Sequence, residues 1–104
     1  MKVSVLEGSE LDYWVARAEG LKKGGTNYVA YSTVWNVGGP IIEREGISIE
    51  YVWHIDGRTP TRLWVAEING LNAMGGQTPL LAAMRAYVAS KFGEEVDDSQ
   101  AHPV

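Results

Sequence analysis

The sequence predicts an α+β fold, a small antiparallel sheet packed against two main helices, with a short third helix near residues 40–45. Three observations carry this expectation. Two segments, Ser9–Glu19 and the stretch after Thr78, repeat their apolar residues at helical spacing. Between them, residues 47–55 alternate apolar and polar with the period of a half-buried strand. Finally, Asp56-Gly57-Arg58-Thr59-Pro60 is turn chemistry, and the connection is too short for a parallel crossover, so the next strand returns antiparallel.

The first helix is expected over Ser9–Glu19, where Leu11, Trp14, Val15 and Ala18 form one apolar stripe. Ser9 is expected to cap it, Glu10 and Asp12 to favour its first turn, and Gly20 to end it near Lys22 and Lys23. Gly24-Gly25 breaks the pattern. Val29, Tyr31 and Trp35 fall on alternate positions, which suggests a strand over Tyr28–Trp35, with Asn36–Gly39 as a loop. Pro40 to Gly46 has proline where a helix can start and glycine where it can stop, which favours a short helix over a strand.

Ile47, Ile49, Tyr51, Trp53 and Ile55 then share one strand face, and Trp14 and Trp53 are both expected in the core. Arg62–Ile68 is the returning strand. Asn69–Gln77 reads as a loop containing three glycines. Thr78 caps the second main helix with Pro79 at its first position, Leu80, Leu81, Met84, Tyr87, Val88 and Phe92 form its stripe, and Gly93 closes it. Glu94, Glu95, Asp97 and Asp98 begin a polar segment expected to fray. With 104 residues the chain is one domain, expected over residues 1–96, with 97–104 a flexible tail.

Composition excludes several function classes. Nine basic residues against thirteen acidic ones give a net charge of -4 with no basic stripe, which argues against nucleic-acid binding. There is no cysteine, so thiolate chemistry, disulfides and zinc fingers are absent. No apolar run reaches the roughly 20 residues of a membrane span, and Met1–Glu10 lacks the apolar core of a signal peptide, so a cytoplasmic protein is expected. Four Trp and five Tyr against one Phe favour side chains with an apolar body and a polar handle, suited to a core edge or a binding surface.

Leu11-Asp-Tyr-Trp-Val-Ala-Arg-Ala-Glu-Gly20, Gly39-Pro-Ile-Ile-Glu-Arg-Glu-Gly46 and the long stretch Thr78–Val96, in that order, resemble the phage NinX-like family. The resemblance covers nearly the whole chain, with Tyr51–Gly76 the least typical part. It implies phage or prophage origin, action in the bacterial host cytoplasm and an accessory role. It brings no activity and no catalytic residues.

The chemistry-bearing groups are sparse. Glu43 and Glu45 flank Arg44; on a strand both carboxylates point one way, and on a helix they diverge by roughly 200°. An ion pair on a solvated face explains them without catalysis. His54 with Asp56 offers two ligand positions and His102 sits in the tail, too few for a metal site, so neither a metal nor a cofactor is expected. The Gly-Gly pairs carry no nucleotide fingerprint. Gly75, Gly76 and Thr78 lead into a helix N-terminus that can meet an anion, although ordinary capping by Thr78 explains them equally. The aromatics are the better lead. Tyr13 and Trp35 sit beside the core stripes, and Trp64 lies on the face opposite Leu63 and Val65; exposed aromatics mark interfaces.

The expected function is a non-enzymatic module that binds a host or phage protein through such aromatics. The alternatives are a site for a nucleotide-like anion at Gly75–Thr78, and a self-associating domain whose hairpin pairs between chains as a homodimer.

Overall fold

A computed structural model describes residues 1–20 and 29–97. Helix α1 spans Gly8–Ala18 and α2 Trp35–Glu45; strands β1, Ser48–Asp56, β2, Thr59–Ile68, and β3, Leu71–Gly76, follow; α3 closes the order at Pro79–Phe92. The strands form an antiparallel meander, β1-β2-β3. The architecture is α+β, as the sequence predicts.

The layers follow from α3. Its large residues Leu80, Met84, Tyr87 and Val88 are buried, but so are Ala82, Ala83, Ala86 and Ala89 on its other sides. A helix apolar or small all round belongs in the middle of a molecule. One side of α3 packs on the sheet and the rest meets α1, α2 and the N-terminal turn Val3–Val5. Arg85 is the exception in composition, and it is buried as well. Its Nε donates to the Leu6 carbonyl at 2.8 Å and its Nη1 to the Gly75 carbonyl at 2.7 Å, so one guanidinium ties the N-terminal segment to β3. Burial pushes its pKa down, against the pull of Glu7.

Several expectations are corrected. Ser9 does not cap α1: the cap position is Glu7, and Gly8 enters the helix with φ of 59°. Gly20, with φ of 87°, does end it. Gly24-Gly25, Lys22, Lys23 and Tyr28 lie outside the described residues. Residues 29–34 are a turn, not a strand. Asp12, buried on α1, accepts from the Ser32 amide at 2.8 Å and fixes that turn.

The helix favoured for residues 40–45 is present but starts earlier, at Trp35, so Asn36–Gly39 is helical and Pro40 lies inside the helix. Packing at Gly38 accompanies the early start. A Cβ there would lie 2.3 Å from the Tyr31 carbonyl oxygen and 2.6 Å from Leu80 Cδ1, so the glycine lets α2 press onto the turn and α3. Helical propensity loses to close packing at this site.

Leu71–Gly76 is a strand rather than a loop. Asn69 and Gly70, at φ of 55° and 74°, make the two-residue turn with both central residues in the left-handed region, which matches strand twist. Glu94–Val96 does not fray. The Val3 amide donates to the Glu94 carbonyl, and Val96 and Met1 exchange bonds at 2.9 Å, which seats Val96 in the core. Residues 98–104 lie outside the described residues.

Candidate functional site

The register of β1 with β2 sets Ile49 opposite Ala66, Tyr51 opposite Trp64, Trp53 opposite Arg62 and Ile55 opposite Pro60. These residues share one face of the sheet, because alternate residues of paired strands point the same way. At its base this is the core face. Ala66 is fully buried, and Gly76, opposite Trp64, lies so near α3 that a Cβ would come 2.8 Å from the Ala82 nitrogen.

Towards the hairpin tip the cover ends. Tyr51 is 44% exposed, Trp53 63% and Ile55 72%. Trp53 is therefore on the expected face but outside the core. Length is the reason. Ten extended residues reach about 33 Å, whereas the fourteen residues of α3 reach about 21 Å.

The exposed rings are organised. Tyr51 and Trp64 stack with centroids 4.5 Å apart and planes 20° from parallel. The Arg62 guanidinium lies 4.0 Å from the centroid of Tyr51 and 5.0 Å from that of Trp53. Each such cation–π contact contributes on the order of 0.5–1 kcal/mol at an exposed site. A stacked guanidinium still presents its edge donors outward, and among the described residues no carboxylate pairs with Arg62. The result is a flat aromatic face with one positively charged, planar donor in it.

The residues singled out from sequence fall into separate settings. Trp64 is half-buried within this face. Trp35 is 53% exposed at the start of α2, beside Gly39. Tyr13 is buried, edge-on to Trp14, and its hydroxyl accepts from Arg17 at 3.0 Å. Gly75 and Gly76 pair with Val65 and Trp64 in the sheet, and the Gly75 carbonyl is taken by Arg85. Thr78 caps α3 by accepting from the Leu81 amide at 3.1 Å. Tyr51, Trp53, Ile55 and Arg62 were not singled out as contacts, yet the strand lengths set against the helix length carry that signal.

The charged trio is also resolved. Arg44 grips Glu19 through both terminal nitrogens, at 3.0 and 2.5 Å, and Glu45 at 2.8 Å, while Glu43 is exposed. Tyr87 donates to the same Glu19 carboxylate and accepts from Arg44 at 3.0 Å. Arg44 holds the Glu19 carboxyl below its usual range, and burial lifts the Tyr87 phenol well above its own. Neither group is poised for proton transfer near neutrality. The network fixes α1, α2 and α3 together instead.

Among the described residues no group of three or more His, Asp or Glu side chains is placed to hold a metal; His54 is exposed on the hairpin, and His102 lies outside that set. A shallow depression of about 230 Å³ near the start of β1 is lined by Ser48, Ile49, Glu50, Val65 and Glu67. It is smaller than the roughly 300–1,000 Å³ of usual ligand pockets. No described helix is long and apolar enough to cross a membrane.

A family model for the bacteriophage P22 NinX protein matches residues 2–91. The chain belongs to the NinX family. The match runs through α1, α2, all three strands and most of α3, so the aromatic hairpin lies within the family's own span. Membership makes this a phage-derived protein. A comparison with curated proteins finds no match.

Proposed function

We propose that this NinX-family protein is a non-enzymatic binding module that engages a host or phage protein through the aromatic face of its β1–β2 hairpin. One observation carries the reading. The core face of the sheet continues past α3 and leaves Tyr51, Trp53 and Ile55 in solvent around a stacked Arg62. Aromatic and arginine side chains dominate the energetics of protein interfaces: Tyr and Trp desolvate a large area while ordering only two torsions, and arginine adds a planar fork of donors already set for pairing. Trp53 and Ile55 are mostly exposed, so burial within their own fold does not account for their apolar character.

The test is affinity capture from infected host cells with the wild-type chain and with Trp53→Ala. The expected result is a stoichiometric partner lost from the variant by at least tenfold, in line with about 2 kcal/mol for an interface hot spot. Unchanged capture by a variant whose circular dichroism is native overturns the assignment of this face.

A further inference from the structure

β1 is the outer strand of the sheet, and among the described residues nothing pairs with its free edge. Exposed edges are usually blunted by a proline, a bulge or an inward-pointing charge. Ser48–Asp56 contains no proline or glycine, and its register with β2 is unbroken over all nine residues. We propose that this edge pairs antiparallel with the same edge of a second copy, across a two-fold axis through Val52.

Backbone parity limits the registers available. The two-residue turn Gly57-Arg58 closes on a bond between Asp56 and Thr59, as an i to i+3 turn does. By the alternation of antiparallel ladders, the even residues of β1 then bond to β2. The N–H and C=O groups of Ile49, Tyr51, Trp53 and Ile55 point to the free edge. Pairing between copies must therefore set odd residues opposite odd ones, which keeps the aromatic faces of both copies on the same side of the joined sheet.

Side chains choose among those registers. About Val52 the strand is close to a palindrome: Tyr51 falls opposite Trp53 of the second copy, Ile49 opposite Ile55, and Glu50 opposite His54. Aromatic, aliphatic and acid–base pairs all meet their own kind of partner, the combinations that stabilise cross-strand neighbours. One step in either direction sets Glu50 or His54 against Val52. The same arrangement places each copy's bare tip residue, Ile55, beside the other's Ile49, where α3 begins to cover the sheet. The contact is isologous and closes as a dimer.

This pairing is separable from the binding function proposed above: Trp53 belongs to both, but the bonds between copies use the backbone edge of β1, and the rings of both hairpins stay on one open face. Sedimentation equilibrium of the wild-type chain at high micromolar concentration is expected to give the mass of two chains. The native sequence has no cysteine, so single substitutions read the register directly. Val52→Cys sets two thiols opposite each other at a non-hydrogen-bonded pair, within disulfide reach, and oxidation is expected to give a covalent dimer. Glu50→Cys, treated identically, is expected to remain a single chain on a non-reducing gel. A one-chain mass for the wild type overturns the proposal. So does a two-chain mass without cross-linking at Val52→Cys, or equal cross-linking of both variants. Loss of partner capture in Trp53→Ala leaves each of these readouts in place.

Discussion

Tyr87 shows how a single buried hydroxyl organises three helices. The ring is 1% exposed, and its oxygen lies between the Glu19 carboxylate at the end of α1 and the Arg44 guanidinium near the end of α2. Left alone, that hydroxyl would cost about 1–3 kcal/mol as an unsatisfied polar group. Paired, it fixes the relative positions of α1, α2 and α3. The pH dependence follows from Glu19. Hydrogen bonds from Arg44 hold its folded pKa below the ordinary 4.5, with desolvation opposing. Its contribution is therefore fully present above about pH 4.5 and is lost as the pH falls through the folded value. Glu19→Gln is expected to lower stability by about 1–2 kcal/mol at pH 7. The gap to wild type should shrink in acid, as measured by urea melts from pH 7 to pH 3. A gap that does not change with pH would show that the charge on Glu19 contributes nothing.

Two adjacent glycines separate propensity from packing within α2. At Gly38 an added methyl meets the Tyr31 carbonyl oxygen and Leu80 Cδ1, whereas at Gly39 it meets only Trp35 Cε3 at 3.7 Å, an ordinary contact. Alanine is favoured over glycine in a helix by about 1 kcal/mol at either position. Gly38→Ala is nonetheless expected to destabilise by about 1–3 kcal/mol through overpacking. Gly39→Ala is expected to be neutral or to stabilise by up to about 1 kcal/mol. Denaturant midpoints of the two variants decide it, and a stabilised Gly38→Ala would contradict the close approach of α2 to α3. The missed strand belongs to this scale as well. Ile68-Asn69-Gly70-Leu71 carries the asparagine–glycine signal of a tight hairpin, but Gly70, Gly75 and Gly76 together suggest a loop. Gly76 meets the α3 backbone, where a Cβ would lie 2.8 Å from the Ala82 nitrogen, a tertiary demand that resembles flexibility when read locally.

For the whole molecule, the two ends of the described fold hold each other. Met1–Val3 pairs with Glu94–Val96, and Val96 is buried beside the N-terminal turn. Val96→Asp places a charge in that seat without a partner. It is expected to cost about 2–4 kcal/mol, whereas Ile55→Asp at the exposed tip should change the stability of the single chain, measured at concentrations too low for pairing, by less than about 0.5 kcal/mol. Thermal melts of the two variants measure this contrast between closed core and open hairpin. Equal losses would mean that the hairpin tip is covered after all.

The sequence by itself determined the elements that rest on local rules. The stripe of α1, the Thr78 cap with Pro79 of α3, the alternation of β1 and the turn at Gly57 are each written within a few residues, because period and capping are local properties. The family resemblance was legible for the same reason, being carried by contiguous stretches of chain. The tertiary structure alone decided what each face meets. Trp53 shares a face with Ile47 and Ile49, but whether that face is core or surface depends on how far α3 extends over it. Position 38 takes glycine within a helix because Tyr31 and Leu80 leave room for nothing larger. Arg85 is buried because two carbonyls from distant parts of the chain converge on it. Alternation states which side of a strand is apolar, and only the packed neighbours determine whether that side is covered.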